Sequence, residues 1–356
     1  MNGVRLSGGP GTGALEDSGR VDFARLRSDR RARLFAAMAS AGVDAVLLGK
    51  EANVRFASGA RRLWTAGTRP FAPSAVAVRD GEAVHLLTTW DDGVPAEIGH
   101  DHLFGLSWNP VTLIGRVAAI PGMAEARVVG VDGMTPLMAT LLAGALPLAK
   151  LVDAGPMMAI CRRGKSPEEM ACIEVAVAVA VAGLAAALDL FAVDHSATTA
   201  VLAGRAWGRM CELGVTTPAE LPSFELMGGD GPMAGIVGAL YAGYEGTVGR
   251  TVAAPPSDAD RCDALLRAVV GGCRPGTPPS ELGDRYAAGG GQPTRWPIAY
   301  GLGLGMEPPV VTVGGPSATD LQVGDVLAVT ARYGQCVARD VVVINESGPR
   351  VLTAPQ

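Results

Sequence analysis

Beyond position 195 the chain has no histidine, so polar chemistry in its C-terminal half falls to carboxylates, arginines and tyrosines. Tyr300, Glu307, Arg332, Tyr333, Arg339 and Asp340 crowd into the blocks AYGLGLGMEPPVV, LQVGDVLAVTARYG and VARDVVVINESGPRVLT. Such groups can move protons and stabilise charge without imidazole. Glu307 stands among Leu304, Met306 and Pro308; desolvation in such a pocket would raise its pKa and suit it to general acid or base work. The alternative for it is a structural carboxylate at a strand end. Arg339 and Arg332 suit a bidentate clamp on a substrate carboxylate, or else a salt bridge to Asp340 or Glu307. Tyr300 offers a donor for a developing oxyanion, or a ring that fills space.

Other candidates carry less. GLGLG (301–305) lacks the strand–turn–helix context and distal acid of a dinucleotide loop. Asp230 follows Gly228-Gly229 and reads as a turn residue. The six cysteines at 161, 172, 211, 262, 273 and 336 show no CxxC spacing, and several lie in apolar helical stretches. Reduced, buried thiols are expected, as in a cytoplasmic protein.

These residues need a frame, and 356 residues suggest two domains. The composition is 48% hydrophobic and 18% charged, enough apolar material for a core and too little charge for disorder. A net charge of −5 and the absence of a basic stripe exclude a nucleic-acid partner; the Arg25–Arg33 cluster reads as a solvated helix face. Residues 1–20 are Gly-rich and polar without an apolar stretch, which predicts a flexible arm and no signal peptide. The apolar run 175–193 follows Glu168, Glu169 and Glu174 and contains Asp189, so a buried helix is expected and no membrane span.

Helical spacing covers 29–41, and DAVLLG (44–49) reads as a strand. The segment 74–89 reads as a hairpin turning at Asp80-Gly81. Helices at 110–119 and 135–146 alternate with strands at 126–131 and 150–153, giving an α/β domain over 21–157. Ser166-Pro167-Glu168-Glu169 is a helix start, with a capping hydroxyl, proline in the first turn and acids at the positive end of the dipole. One helix then runs to about 193 and another from 196 to about 213; strands and Gly-rich turns follow, with helices near 258–272 and 279–287.

Several blocks carry a family resemblance. GVDAVLLGKEANVRFASG (42–59), GKSPEEMACIEVAV (164–177), GYEGTVGRT (243–251), AYGLGLGMEPPVV and VARDVVVINESG resemble, in order and spacing, the creatinase, aminopeptidase P and prolidase family. The resemblance implies an α+β chain: a small creatinase-like α/β N-terminal domain and a pita-bread C-terminal domain over 158–356. Metal-dependent members hold two divalent ions on two Asp, one His and two Glu. Here those positions are Ile236, Thr247, Tyr300, Thr330 and Arg339, with Glu245 and Asp340 as the nearest carboxylates if the alignment slips. Isoleucine, threonine and tyrosine are poor ligands, and Arg339 brings a fixed positive charge. The family's substrate-facing His gives way to Met306, before Glu307.

The expectation is therefore a metal-independent enzyme without cofactor, acting on a small amino-acid-like, amide or amidine substrate. Glu307 and Tyr300 are its catalytic candidates; Arg339, Arg332, Arg250, Tyr244, Asp340 and Glu225 its substrate-binding ones. The alternative is a non-catalytic protein that binds a ligand or protein partner through the old cleft. The resemblance also implies a homodimer in which the N-terminal domain borders the neighbouring cleft, bringing Arg55, Arg61, Arg62, Trp64 or His102 within reach.

Overall fold

A computed structural model describes residues 20–60, 74–88, 91, 93–215, 217–227, 231–316 and 319–353. Almost all of the expected N-terminal arm, together with Arg61, Arg62, Trp64 and Asp230, lies outside these residues. Contacts divide the chain into two compact units that meet in sequence between Arg162 and Arg163. The sequence pattern sets that boundary at 157/158, within a helix that runs Gly155–Arg163.

The first unit, Phe23–Arg162, alternates α and β. Its elements are α1 (Phe23–Ser40), β1 (Ala45–Leu48), α2 (Glu51–Ser58), β2 (Ala75–Val78), β3 (Ala83–Leu87), β4 (Leu103–Phe104), α3 (Pro110–Ala118), β5 (Val128–Val131), α4 (Pro136–Ala145), β6 (Lys150–Asp153) and α5 (Gly155–Arg163). The six strands order as β4-β3-β2-β1-β5-β6. Gly81 takes φ +77° in the turn between β2 and β3, a conformation that a side chain would strain. Asn109 and Thr135 cap α3 and α4 by accepting from backbone N–H groups, each with proline in the first turn. Two helices escape the sequence reading, α2 and α5, both only two or three turns long. His102 lies in a short turn before β4 and stacks on the buried His85 at 4.6 Å between ring centroids. Burial lowers the His85 pKa to about 4 and keeps that ring neutral.

The second unit begins at Arg163. It comprises α6 (Pro167–Val193), α7 (Thr199–Glu212), β7 (Ser223–Leu226), β8 (Met233–Tyr241), β9 (Tyr244–Val252), α8 (Pro256–Gly271), α9 (Pro279–Ala288), β10 (Ala299–Gly303), β11 (Gly305–Val311), β12 (Val326–Tyr333), β13 (Cys336–Asn345) and β14 (Gly348–Val351). The helix start read from Ser166 is a complete capping box: Ser166 Oγ accepts from the Glu169 N–H at 3.3 Å, and the Glu169 carboxylate accepts from the Ser166 N–H at 2.8 Å. Among the described residues α6 is the one helix long and apolar enough to span a membrane, yet more than half of its apolar window is buried against this unit's own sheet and α7.

The strands order as β11-β10-β12-β13-β9-β8-β7, with β14 on β13. Alternation gives this sheet two different faces. Ala299, Val329, Ala331 and Ala338 share a core with Cys262 and Leu265 of α8 and Leu282 of α9. Gly235 and Gly246 meet α6: a Cβ on Gly246 would lie 2.2 Å from the Val177 nitrogen, so only glycine lets helix and strand approach this closely. The neighbours of these residues in sequence, Ile236, Thr247, Tyr300, Thr330 and Arg339, therefore all belong to the other face. The helices hold one side of the sheet, and chemistry is left to the other.

Candidate functional site

Arg339 is the centre of that second face. Its side chain is 0% exposed. Nε donates to Thr330 Oγ1 at 2.9 Å, and Nη1 donates to Glu220 Oε1 at 2.6 Å and to Thr247 Oγ1 at 3.3 Å. Nη2 is buried without a hydrogen-bond partner among the described residues. The guanidinium lies 5.0 Å from the Trp296 ring centroid and 5.9 Å from that of Tyr300, so two aromatic rings share its charge. Trp296 in turn packs against the small apolar cluster of Met227, Ala234, Ile236 and Val337. The five positions that the resemblance assigns to metal ligands thus converge on one spot, and a guanidinium stands in it.

Beside Arg339, the Tyr300 hydroxyl donates to Glu245 Oε1 at 2.7 Å, with both residues buried. Burial raises the Glu245 pKa, helped by the nearby charges of Glu220 and Glu307 and opposed by the Tyr300 hydrogen bond and Arg339. The Tyr300 phenol is likewise pushed up, first by burial and then by Glu245, so it holds its proton and acts as a donor. Glu245, weighed in the sequence only as a displaced metal ligand, is the carboxylate that belongs with Tyr300.

Glu307 is placed differently from the sequence expectation. Residues of β11 alternate, so Met306 and Pro308 are exposed while Glu307 turns inward. Charged and backbone partners meet it: Lys165 Nζ donates to Glu307 Oε2 at 3.0 Å, with side-chain exposures of 3% and 5%, and the Leu304 N–H donates to Oε1 at 3.3 Å. Its partner is a buried ammonium, neither Arg339 nor Arg332.

The remaining candidates separate. Arg250 donates to Asp340 Oδ1 at 2.7 Å and to the Arg339 carbonyl at 2.8 Å, so this pair braces the strand behind the guanidinium. Asp340 also accepts from the Thr353 hydroxyl. Tyr244 is buried and its hydroxyl donates to Glu169, which ties it to the α6 capping box and away from the Arg339 cluster. Arg332 donates to the Pro293 carbonyl at 3.4 Å and makes none of the cluster's bonds. Glu225 is exposed on the edge strand β7. Tyr333 accepts from Arg261 near the surface. The salt bridge foreseen for Arg339 exists, but its partner is Glu220, which sequence reasoning passed over.

A cavity of about 450 Å³ opens beside the cluster. Thr199, Ala200 and Ala203 from the start of α7, the segment Glu220–Phe224, and Arg295 and Trp296 line it. The Arg295 guanidinium lies 4.1 Å from the Trp296 ring centroid and donates to Ser223 Oγ. Glu220 has a 28% exposed side chain and joins the two parts, being both cavity wall and Arg339 partner. A faint signal for these residues was present: an Arg-Trp pair closing a Gly- and Pro-rich stretch, and a glutamate between Pro218 and Pro222.

The residues present do not fit a dinuclear metal centre. A buried guanidinium occupies the convergence point, its neighbours there are threonine, isoleucine and tyrosine, and the nearby carboxylates Glu220, Glu245 and Glu307 are engaged by Arg339, Tyr300 and Lys165. No group of three or more His, Cys, Asp or Glu side chains able to hold an ion forms among the described residues.

Residues 30–163 match the family model of the Creatinase/Prolidase N-terminal domain. No curated protein matches the sequence. The structure is similar over nearly the whole chain to the Xaa-Pro dipeptidase from Bacillus anthracis, at TM-score 0.72 and 16% identity, covering 93% of this chain and 98% of that one. It is similar to dipeptidase PepE from Mycobacterium ulcerans, at TM-score 0.69 and 20% identity, covering 95% and 98%. The X-Pro aminopeptidase from Thermotoga maritima gives TM-score 0.72 at 14% identity, covering 90% and 98%. The chain has the two-part creatinase/prolidase architecture with its pita-bread second domain, as the sequence blocks imply.

Proposed function

We propose that the second unit is a metal-independent enzyme site for a small amino-acid-like, amide or amidine substrate, working by proton transfer and electrostatics. The observation that carries this reading is the Arg339 network itself. A guanidinium is costly to bury, and a chain that needed only to fill the space of lost ligands would do so more stably with apolar side chains. Here the charge is kept, aimed between a cavity-wall carboxylate and a proton-holding Tyr300–Glu245 pair. In this reading Arg339 binds the substrate's anionic group or a developing oxyanion, and Tyr300 delivers the proton that Glu245 orients. The amino-acid-like class also agrees with the dipeptide and X-Pro substrates in the names of the structurally similar proteins. The bond changed is C–N hydrolysis or a lyase, cyclase or isomerase step that needs the same two devices. A cytoplasmic homodimer accompanies the proposal.

The engagement of Glu220, Glu245 and Glu307 by Arg339, Tyr300 and Lys165 favours a second reading, a non-catalytic protein that binds a ligand or protein partner through this cleft. One experiment separates the two. Purified protein in EDTA is screened by thermal shift against small carboxylates, amino acids, amides and guanidines, and every hit is incubated and examined by mass spectrometry for conversion. Conversion that Tyr300→Phe abolishes while the thermal shift survives supports the enzyme. Hits that are never converted support the non-catalytic reading, and a panel with no hit overturns the small-molecule site.

A further inference from the structure

Arg339 is short of an acceptor. A guanidinium meets a carboxylate best through two parallel N–H bonds. Glu220 engages it through Oε1 alone, at Nη1, and the same oxygen is 3.3 Å from the Thr247 hydroxyl. Among the described residues Nη2 has no hydrogen-bond partner, although Arg339 is fully buried. An unmatched donor at such depth costs stability, so the arrangement is one that an anion with two free oxygens improves.

The two partners differ in what they can do about it. Arg339 sits on a central strand between β12 and β9 and has nowhere to go. Glu220 belongs to the irregular segment between α7 and β7, whose backbone is tied to β8 by the Pro218–Ala239 bridge and the Ala219 N–H to the Gly238 carbonyl at 3.1 Å. The backbone therefore stays, while the side chain, already 28% exposed at the cavity, can turn into water by a rotamer change. Once it does, the guanidinium is open to the cavity, and the Tyr300 ring behind it comes within reach of whatever replaces Glu220. The surrounding wall suits a flat anion: the Trp296 ring faces the guanidinium, and Arg295, held on Ser223, adds a second positive charge beside that ring.

We infer that Glu220 is an internal stand-in for a ligand carboxylate: a small planar carboxylate entering this cavity takes its place on Arg339, and the site thereby selects carboxylates over their neutral amides. The inference rests on the reading of the cavity as a small-molecule site. It makes Glu220 a competitor whose removal tightens binding, the opposite of what a recruiting or merely structural residue does.

The test is a calorimetric titration of the full chain with benzoate, and with benzamide as the neutral shape-match. Wild type, Glu220→Gln and Arg339→Met are compared, each first checked for a cooperative melt. Benzoate is expected to bind Glu220→Gln at least about tenfold more tightly than wild type, because the fraction of open guanidinium rises. Benzamide affinity stays flat, and Arg339→Met loses benzoate. Glu220→Ala repeats the comparison should the glutamine melt poorly. Benzoate-induced quenching of tryptophan fluorescence, absent in Trp296→Phe, places the ligand without relying on the Arg339 variant. Equal or weaker benzoate binding to both Glu220 variants overturns the inference while leaving the cavity a ligand site. If neither benzoate nor any member of the thermal-shift panel binds wild type or the Glu220 variants, the inference and the reading beneath it both fall.

Discussion

At the scale of single residues, the raised pKa of Glu245 is the most consequential feature of the site. Burial, the first cause, sets its folded pKa above the ordinary carboxyl value of 4.5. The folded state then keeps a proton that the unfolded chain gives up, so the stabilisation is complete below pH 4.5 and is lost as pH rises through the folded value. Glu245→Gln, which mimics the protonated form, should remove this dependence: wild type and variant converge at low pH, and the variant gains relative stability as pH rises. Urea melts at a series of pH values check it, and parallel curves would refute a raised Glu245 pKa. Tyr300→Phe deletes the hydrogen bond that opposes the shift, so the same window should move to higher pH. The alternation of β9 and β10 made both residues available on one face, but the identity of Tyr300's partner was not legible. It depends on a cross-sheet distance that one sequence does not contain.

Elements explain the rest of what could and could not be read. The α6 start was legible because a capping box is local: four consecutive residues supply both of its hydrogen bonds. Tyr244 was not, since its partner Glu169 is 75 residues away. Placed at the start of β9, Tyr244 donates to a buried carboxylate that already closes the box, so it belongs to the docking of α6 on β9. Tyr244→Phe should cost about 1–3 kcal/mol, the range for leaving a buried hydrogen-bonding group unsatisfied. The loss should appear in chemical denaturation with the denaturant slope unchanged, and benzoate affinity should not move. A binding defect without a stability loss would return Tyr244 to the substrate site. Glu307 was misread for the complementary reason. Its apolar neighbours in sequence are neighbours along a strand, and in a strand adjacent side chains point apart. The short helices α2 and α5 escaped because two or three turns give periodicity too little length to register.

For the whole molecule the question is whether the fold's capacity for metal survives in this chain. The architecture is that of the structurally similar peptidases, and positions 236, 247, 300, 330 and 339 lie buried together on one face of the sheet. What stands there is one monovalent organic cation held by hydrogen bonds, where two divalent ions would need several carboxylates. Electrostatics opposes an ion there: a dication placed beside the Arg339 guanidinium is repelled, and its entry would strip Glu220 from Arg339 and Tyr300 from Glu245. Prolonged EDTA treatment should therefore leave the melting temperature and any turnover found in the substrate screen unchanged, and adding Mn²⁺, Co²⁺ or Zn²⁺ should not raise either. A specific site would announce itself by mass action, since an ion at 100 times its dissociation constant stabilises the folded state by about 2.7 kcal/mol. A saturable rise of that kind, lost on mutation of Glu220 or Glu245 and accompanied by activity, would mean that the arginine yields its place, and the metal-independent reading would have to be given up.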